Sequence, residues 1–199
     1  MQKYRHVMCN IAIVDDSSIE RFVLKRLLEG CGHQVVAEGA DGFDAVRICA
    51  AARPEIVMLD VRMPRKDGLA AAIEINSLGA TACMLLTASA DDDTVRAATE
   101  AGVMGYLVKP IRLEELNPAI ALAMARFAEF KALKEENAEL KAALAARKVI
   151  EKAKGILMEK EKLTEHEAFA RIRTMSMEKR LPMSQVADSI IIVFGSAKP

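Results

Sequence analysis

The chain lacks both long hydrophobic runs and paired cysteines. No apolar stretch approaches the roughly 20 residues that a membrane span needs, although 52% of the 199 residues are hydrophobic. The first apolar run ends at Asp15, which predicts a strand rather than a signal peptide. Cys9, Cys31, Cys49 and Cys83 lie far apart, as expected of reduced thiols rather than of a disulfide framework or a zinc site. We therefore expect a cytoplasmic protein that does not associate with membranes.

The chain also lacks a net charge, but its two ends differ. Lys and Arg together number 28, and so do Asp and Glu. Residues 145–199 hold eleven basic and seven acidic residues, a balance of +4, which leaves 17 basic and 21 acidic residues and −4 for residues 1–144. An acidic front and a basic back predict different partners. The basic excess is too small to identify nucleic acid by itself.

Apolar segments alternate with helical patterns over the first 110 residues. Strands are predicted at Ile11–Val14, Gln34–Glu38, Ile56–Asp60, Cys83–Thr87 and Met104–Val108. Continuous apolar runs of this length are typical of strands that are buried on both faces. This alternation predicts an α/β domain in which a five-stranded parallel sheet is covered by helices on both faces.

Polar side chains stand where these strands end, at Asp15-Asp16, Asp60, Thr87 and Lys109. The carboxyl ends of parallel strands meet at one edge of the sheet. Crowded carboxylates repel one another and favour a bound cation, and oxygen ligands suit Mg²⁺. With an ammonium and a hydroxyl beside it, Asp60 could attack a phosphoryl group. Taken alone, Asp60 could equally cap the turn that follows it.

From Asn10 to Met124 the chain resembles the receiver domain of two-component response regulators. The residues that carry the resemblance, in order, are Asp15-Asp16, Asp60, Met63-Pro64, Gly68, Thr87, Tyr106 and Lys109-Pro110.

This resemblance implies a flavodoxin-like fold with strand order 2-1-3-4-5. It also implies that Asp60 accepts a phosphoryl group from a sensor histidine kinase. Asp15, Asp16, Asp60 and the backbone carbonyl of Arg62 would hold Mg²⁺. Such a protein is a phosphoryl acceptor rather than an enzyme, with only self-phosphorylation from a donor and autodephosphorylation.

The resemblance also assigns a switch. Thr87 and Lys109 would bind the phosphoryl oxygens, and Thr87 and Tyr106 would then shift together. Tyr106 could instead be an ordinary aromatic residue of an edge strand. The Lys109-Pro110 bond is expected to be cis, a rare and retained feature.

A long helix is predicted after the sheet, because Ala119 to Lys154 is rich in Ala, Glu, Lys and Leu and contains no glycine. Heptad positions a and d are filled by a set of residues that we call the seam: Phe130, Leu133, Asn137, Leu140 and Leu144. Oppositely charged Glu and Lys flank it, which predicts a parallel homodimer whose register Asn137 fixes. A single solvated helix with intrachain Glu–Lys pairs is the alternative.

The pattern changes at Arg147. Apolar residues around Ile156 recur at helical spacing. Thr164 and Glu167 form a capping-box pattern, and Pro182 starts a third helix. We expect a small all-α three-helix bundle. The predicted domains are a receiver at 1–124, a coiled-coil linker helix at 125–146 and a three-helix domain at 147–199.

Ile150–Met158 resembles the signature of the ANTAR domain, an RNA-binding antitermination module, and looser matches extend this resemblance from Leu140 to Val193. This resemblance implies that the domain binds RNA, as tandem hairpins in transcript leaders. The candidate RNA contacts are Lys148, Lys152, Lys154 and Arg173, with Lys154 off the apolar face and Gly155 as a point of close approach. Lys and Arg on helices can instead be merely solvated, and a glycine can serve a tight helix crossing.

We therefore expect a phosphorylation-controlled transcription antiterminator. One alternative is a DNA-binding regulator, although the third helix, Ser184–Phe194, carries only Asp188 as a charge and would read a major groove poorly. Another is a partner-binding protein or phosphate sink without affinity for nucleic acid.

Overall fold

A computed structural model describes residues 8–89 and 91–195 of the chain. Five strands and seven helices lie within these residues. In order they are β1 (Asn10–Val14), α1 (Ser18–Gly30), β2 (Gln34–Gly39), α2 (Gly42–Ala52), β3 (Ile56–Asp60), α3 (Gly68–Leu78), β4 (Ala82–Thr87), α4 (Asp92–Glu100), β5 (Gly105–Val108), α5 (Leu113–Lys160), α6 (Glu165–Lys179) and α7 (Met183–Gly195). Within the described ranges, none of the helices combines the length and the apolar character that a bilayer crossing requires.

The described residues form two compact units, which divide between residues 131 and 132. Helix α5 supplies residues to both. The boundary between them differs by several residues from the predicted domain end at 124. The predicted linker at 125–146 and the first helix of the predicted bundle are parts of this one helix, because no proline interrupts α5 beyond Pro118 and a single glycine is tolerated within a helix.

The first unit is built on a parallel sheet with the order β2-β1-β3-β4-β5, which confirms the predicted fold. All five residues of the central strand β3 are buried. Its alternate side chains enter two cores, one shared with α1 and the first turns of α5, the other with α2 and α3. Apolar burial on both faces leaves the polar residues at the carboxyl ends of the strands.

The second unit has its own small core, formed by the end of α5 with α6 and α7. Its fully buried members are Ala153, Leu157, Ala168, Ile172, Val186, Ala187 and Ile190. The predicted capping box at the start of α6 is present, with both of its reciprocal bonds between Thr164 and Glu167. The predicted three-helix arrangement is therefore confirmed.

Candidate functional site

Asp60 is the last residue of β3 and is only 7% exposed. Its Oδ2 accepts a hydrogen bond of 2.7 Å from the backbone N–H of Arg62. Its Oδ1 accepts from the ammonium of Lys109. Burial raises the pKa of the Asp60 carboxyl, and Lys109 only partly offsets this. The structure thus holds a desolvated carboxylate with one oxygen against a cation, as a nucleophile toward phosphorus requires.

Lys109 follows β5 directly and reaches across the edge of the sheet. Its Nζ lies 2.7 Å from Oδ2 of Asp15 and also contacts carboxylate oxygens of Asp60 and Glu20. Burial alone would lower the pKa of this ammonium, but the three carboxylates outweigh burial and raise it. Lys109 is therefore a fixed positive charge at neutral pH.

Three carboxylates surround that charge and form what we call the carboxylate cluster: Asp15, Glu20 and Asp60. One oxygen from each lies within 4.8 Å of the others. The sequence predicts Asp16 as a member of this cluster. Asp16 is exposed and is not part of the cluster, whereas Glu20, which the sequence did not single out, is. The role of Asp16 as a metal ligand stays a prediction.

Glu20 reaches the cluster because it lies in the first turn of α1, where side chains lean back toward the start of the helix. Ser17 caps this helix and accepts from the Glu20 N–H. In a full capping box the Glu side chain would return this bond to the Ser17 N–H. That N–H instead donates to Oδ1 of Asp15 over 2.8 Å, so the Glu20 carboxylate is released to Lys109. The Ser17-x-x-Glu20 spacing, just after a strand end, was the sequence signal available.

The donor set of the cluster fits Mg²⁺. Its oxygens are hard ligands, they converge at one point, and two of the three residues are buried. The backbone N–H of Arg62 is tied to Asp60, which brings the Arg62 main chain close to the same edge. The predicted contribution of the Arg62 carbonyl stays a prediction.

Thr87 and Tyr106, the predicted switch pair, differ in their surroundings. Thr87 ends β4 and is buried, and its hydroxyl donates to the carbonyl of Ser89 over 2.7 Å. Tyr106 lies on β5 opposite Leu85 and is 43% exposed. The hydroxyl of Thr87 is thus held by the turn that follows its strand, while the Tyr106 ring faces solvent. Their coupled movement stays a prediction.

Two backbone features shape this edge. A Cβ on Gly68 would lie 2.1 Å from the carbonyl oxygen of Asp60, so only glycine fits where α3 begins. The Gly68 N–H also donates to the carbonyl of Val61. The predicted cis bond between Lys109 and Pro110 is present.

Most of the predicted RNA contacts in the second unit are open to solvent. Lys148, Lys152, Gly155 and Arg173 are exposed. A Cβ on Gly155 would meet nothing within 4 Å. Within its own unit, therefore, Gly155 does not serve a tight helix crossing.

Lys154 is the exception. It is only 6% exposed, and its ammonium donates to Glu165 over 2.7 Å and to Glu151 over 2.9 Å. Its side chain is buried together with Ala153 and Leu157, whereas the two glutamates that hold its ammonium are largely exposed. Its predicted contact with RNA stays a prediction. Hydrogen bonds to these two carboxylates raise the pKa of Lys154.

The seam residues of α5 are exposed throughout. The four apolar members are between 44% and 64% exposed, and Asn137 is exposed as well. Nothing within the described chain covers these side chains.

Comparison with known proteins identifies both units. Residues 11–121 match the response regulator receiver domain family, and residues 138–191 match the ANTAR domain family. The transcriptional regulatory protein PdtaR of Mycobacterium tuberculosis is 40% identical over 188 residues, which cover 94% of this chain and 92% of PdtaR. The chemotaxis protein CheY of Bacillus subtilis is 34% identical over 111 residues, or 55% of this chain and 92% of CheY.

A solved structure agrees with these matches. The two-component response regulator of the LuxR family from Aurantimonas superposes with a TM-score of 0.57 and 31% identity, over 65% of this chain and 99% of that one. The receiver match covers more than half of the chain, and the match to PdtaR extends through both units. The chain therefore belongs to the response regulators of two-component systems, with a receiver domain followed by an ANTAR domain.

Proposed function

We propose that this protein is a phosphorylation-controlled transcription antiterminator that binds RNA hairpins. The observation that carries this proposal is the pairing of Asp60 with Lys109 at the sheet edge, in a chain whose second unit matches the ANTAR family. The first feature supplies a phosphoryl acceptor, and the second an RNA-binding output.

Phosphoryl transfer would begin with Asp60. One of its carboxylate oxygens attacks phosphorus in the phosphohistidine of a sensor kinase; the new O–P bond forms as the P–N bond breaks, and the imidazole leaves with a proton from solvent. Asp15 and Asp60, with Asp16 and the Arg62 carbonyl, would hold Mg²⁺, which supplies positive charge for the phosphoryl oxygens.

After transfer, Lys109 would bind a phosphoryl oxygen in place of the Asp60 oxygen that it holds now. The Thr87 hydroxyl would exchange its bond to Ser89 for another phosphoryl oxygen. To make this new bond the Thr87 side chain would rotate, and the space that it leaves would let the Tyr106 ring turn inward. The surface of β5 would then differ between the two states.

RNA would be bound by the exposed basic residues of the second unit, Lys148, Lys152 and Arg173. Their side chains are open to solvent and suited to phosphate contacts. Gly155 follows Lys148 and Lys152 on α5. Its missing side chain leaves space for a close approach of the RNA backbone. The ion pairs of Lys154 favour a role inside its unit rather than a direct phosphate contact.

The exposed seam supports a parallel homodimer. Four large apolar side chains at heptad spacing remain uncovered on α5, and a coiled coil would bury them. Two copies would present two ANTAR domains, which matches tandem hairpins. Light scattering should show that Leu140→Asp shifts the chain toward the monomer, while Leu78→Asp, at an exposed leucine outside the seam, does not.

The proposal is tested by binding to a transcript leader with two tandem hairpins, with and without phosphoramidate as the phosphoryl donor. We expect phosphorylation to tighten binding in the wild type but not in Asp60→Asn. Lys152→Ala and Arg173→Ala should each weaken binding and reduce the salt slope by about one, whereas Arg26→Ala, an equal charge change on the receiver, should not.

Two outcomes would contradict this function. Equal affinity for duplex DNA at the same salt concentration would favour the DNA-binding alternative. No affinity for either nucleic acid, in both phosphorylation states, would favour a partner-binding protein or phosphate sink.

A further inference from the structure

Glu20 brings an additional negative charge to the phosphoryl-acceptor edge of the sheet. Its carboxylate contacts the Lys109 ammonium, and one of its oxygens lies within 4.8 Å of oxygens of both Asp15 and Asp60. The side chain of Glu20 is 51% exposed, so it stands at the mouth of the site, with the buried Asp15 and Asp60 behind it.

Glu20 does not cap the start of α1. The Ser17 N–H that it could have capped is already bonded to Asp15, and the first turn of α1 is capped by the Ser17 hydroxyl. Among the residues that the structure describes, the partner of its carboxylate is Lys109. Its carboxylate therefore acts on the ammonium that has to bind the phosphoryl group, and its charge acts on any ligand that enters the site.

We propose that Glu20 is a positioning residue for phosphoryl transfer, which holds Lys109 before the reaction and makes the site favour a divalent cation over the phosphoryl donor. This inference rests on the proposed transfer to Asp60. A third carboxylate increases the attraction for Mg²⁺. The same charge repels the anionic donor and competes with its oxygens for Lys109, so Glu20 acts in opposite directions on the two ligands of the site.

The size of the effect follows from exposure. One unit charge about 4 Å from a second unit charge in bulk water changes an equilibrium constant about fivefold, and for a divalent cation the doubled energy changes it about thirtyfold. Glu20 is half exposed, so this water-screened value is the appropriate one. We therefore expect changes in opposite directions, about thirtyfold for Mg²⁺ and about fivefold for a singly charged donor, rather than a loss of function.

The variant to use is Glu20→Gln, which keeps the shape of the side chain and removes its charge. The control is Glu29→Gln, an exposed glutamate nine residues further along α1, or about 13 Å along the helix axis. Isothermal titration of the full, unphosphorylated chain with MgCl₂ measures cation affinity. The rate of phosphoryl uptake from phosphoramidate at saturating Mg²⁺, followed by a phosphate-affinity gel, measures donor use.

For Glu20→Gln we expect Mg²⁺ to bind about thirtyfold more weakly and phosphoryl uptake to become about fivefold faster, with Glu29→Gln like the wild type. Unchanged values, or values that fall together as in simple structural damage, would overturn the role of Glu20. If the wild type took up no phosphoryl group at Asp60, the proposed function would fail, while the Mg²⁺ titration would still decide whether Glu20 strengthens the cation site.

Discussion

The ammonium of Lys154, near the end of α5, lies 2.7 Å from Oε1 of Glu165, the first residue of α6. This ion pair joins two consecutive helices of the second unit. The Lys154 side chain is nearly buried, while Glu165 is mostly exposed. A residue that the sequence suggests for RNA contact is thus occupied inside its own unit.

Lys154→Gln should destabilise the second unit. The variant removes the ammonium that draws Glu165 and Glu151 together and leaves both carboxylates in water. Thermal unfolding of the full chain should show a lower melting temperature than Lys152→Gln, which removes the same charge from an exposed position two residues earlier on α5. Equal melting temperatures would show that the ion pairs contribute nothing.

The same pair predicts a dependence on acid. The hydrogen bond from Lys154 lowers the pKa of Glu165 in the folded chain. Its stabilisation is therefore present above the ordinary glutamate range and is lost as pH falls through the lowered pKa. The difference in stability between the wild type and Lys154→Gln should therefore be smaller at pH 3 than at pH 7, which denaturant titrations at the two pH values would measure.

Gly155→Ala should stabilise the chain and weaken its binding to RNA. Alanine in a helix interior is more stable than glycine by about 0.5–1 kcal/mol, and the added Cβ meets nothing within 4 Å. If RNA approaches the helix at this point, the methyl group obstructs it. Urea unfolding and hairpin binding measure the two effects. Higher stability with unchanged affinity would remove Gly155 from the RNA surface.

Asp60→Asn should abolish phosphorylation and yet raise the stability of the first unit. Burial raises the pKa of Asp60 in the folded state. When the pH rises above the ordinary pKa of an aspartate, ionisation of this carboxyl therefore favours the unfolded chain. Asparagine carries no such cost. The two proteins should therefore unfold alike near pH 3, and the variant should be the more stable at pH 7. A less stable variant at pH 7 would show that the Asp60–Lys109 contact outweighs burial.

Gly68→Ala should disrupt the phosphoryl-acceptor edge. The new Cβ would lie 2.1 Å from the carbonyl oxygen of Asp60, so the backbone must move, at a cost of about 2–3 kcal/mol. Gly30→Ala is the control, since a Cβ there meets nothing within 4 Å. Urea unfolding measures the cost, and phosphoryl uptake should fall only in Gly68→Ala. Equal stability of the two variants would contradict the close approach.

The sequence predicted the sheet well because its signals are local. The apolar run Ile56–Leu59 ends at a carboxylate, and in the structure every residue of that strand is buried. Thr164 and Glu167 lie three positions apart, and their capping box needs no distant partner. Strand order, by contrast, came only through the family resemblance.

The sequence failed where two residues compete for one partner. Asp15 accepts the Ser17 N–H, which leaves the Glu20 carboxylate available to Lys109, and no pattern along the chain predicts which of the two carboxylates Ser17 binds. The burial of Lys154 was missed for a related reason. The helical spacing of α5 shows Glu151 beside it, but Glu165 comes from the next helix and completes the pair only after folding.

The start of α1 differs in kind from the start of α6. At α6 the N–H of the N-cap residue, Thr164, donates to the carboxylate of Glu167 in the first turn of the same helix. At α1 the Ser17 N–H donates to Asp15, a member of the carboxylate cluster. A cation that draws Asp15 toward itself therefore loosens the first turn of α1. The rate of amide hydrogen exchange at Ser17 should therefore rise when the metal binds. The exchange rate at Thr164 should stay the same and serves as the internal reference.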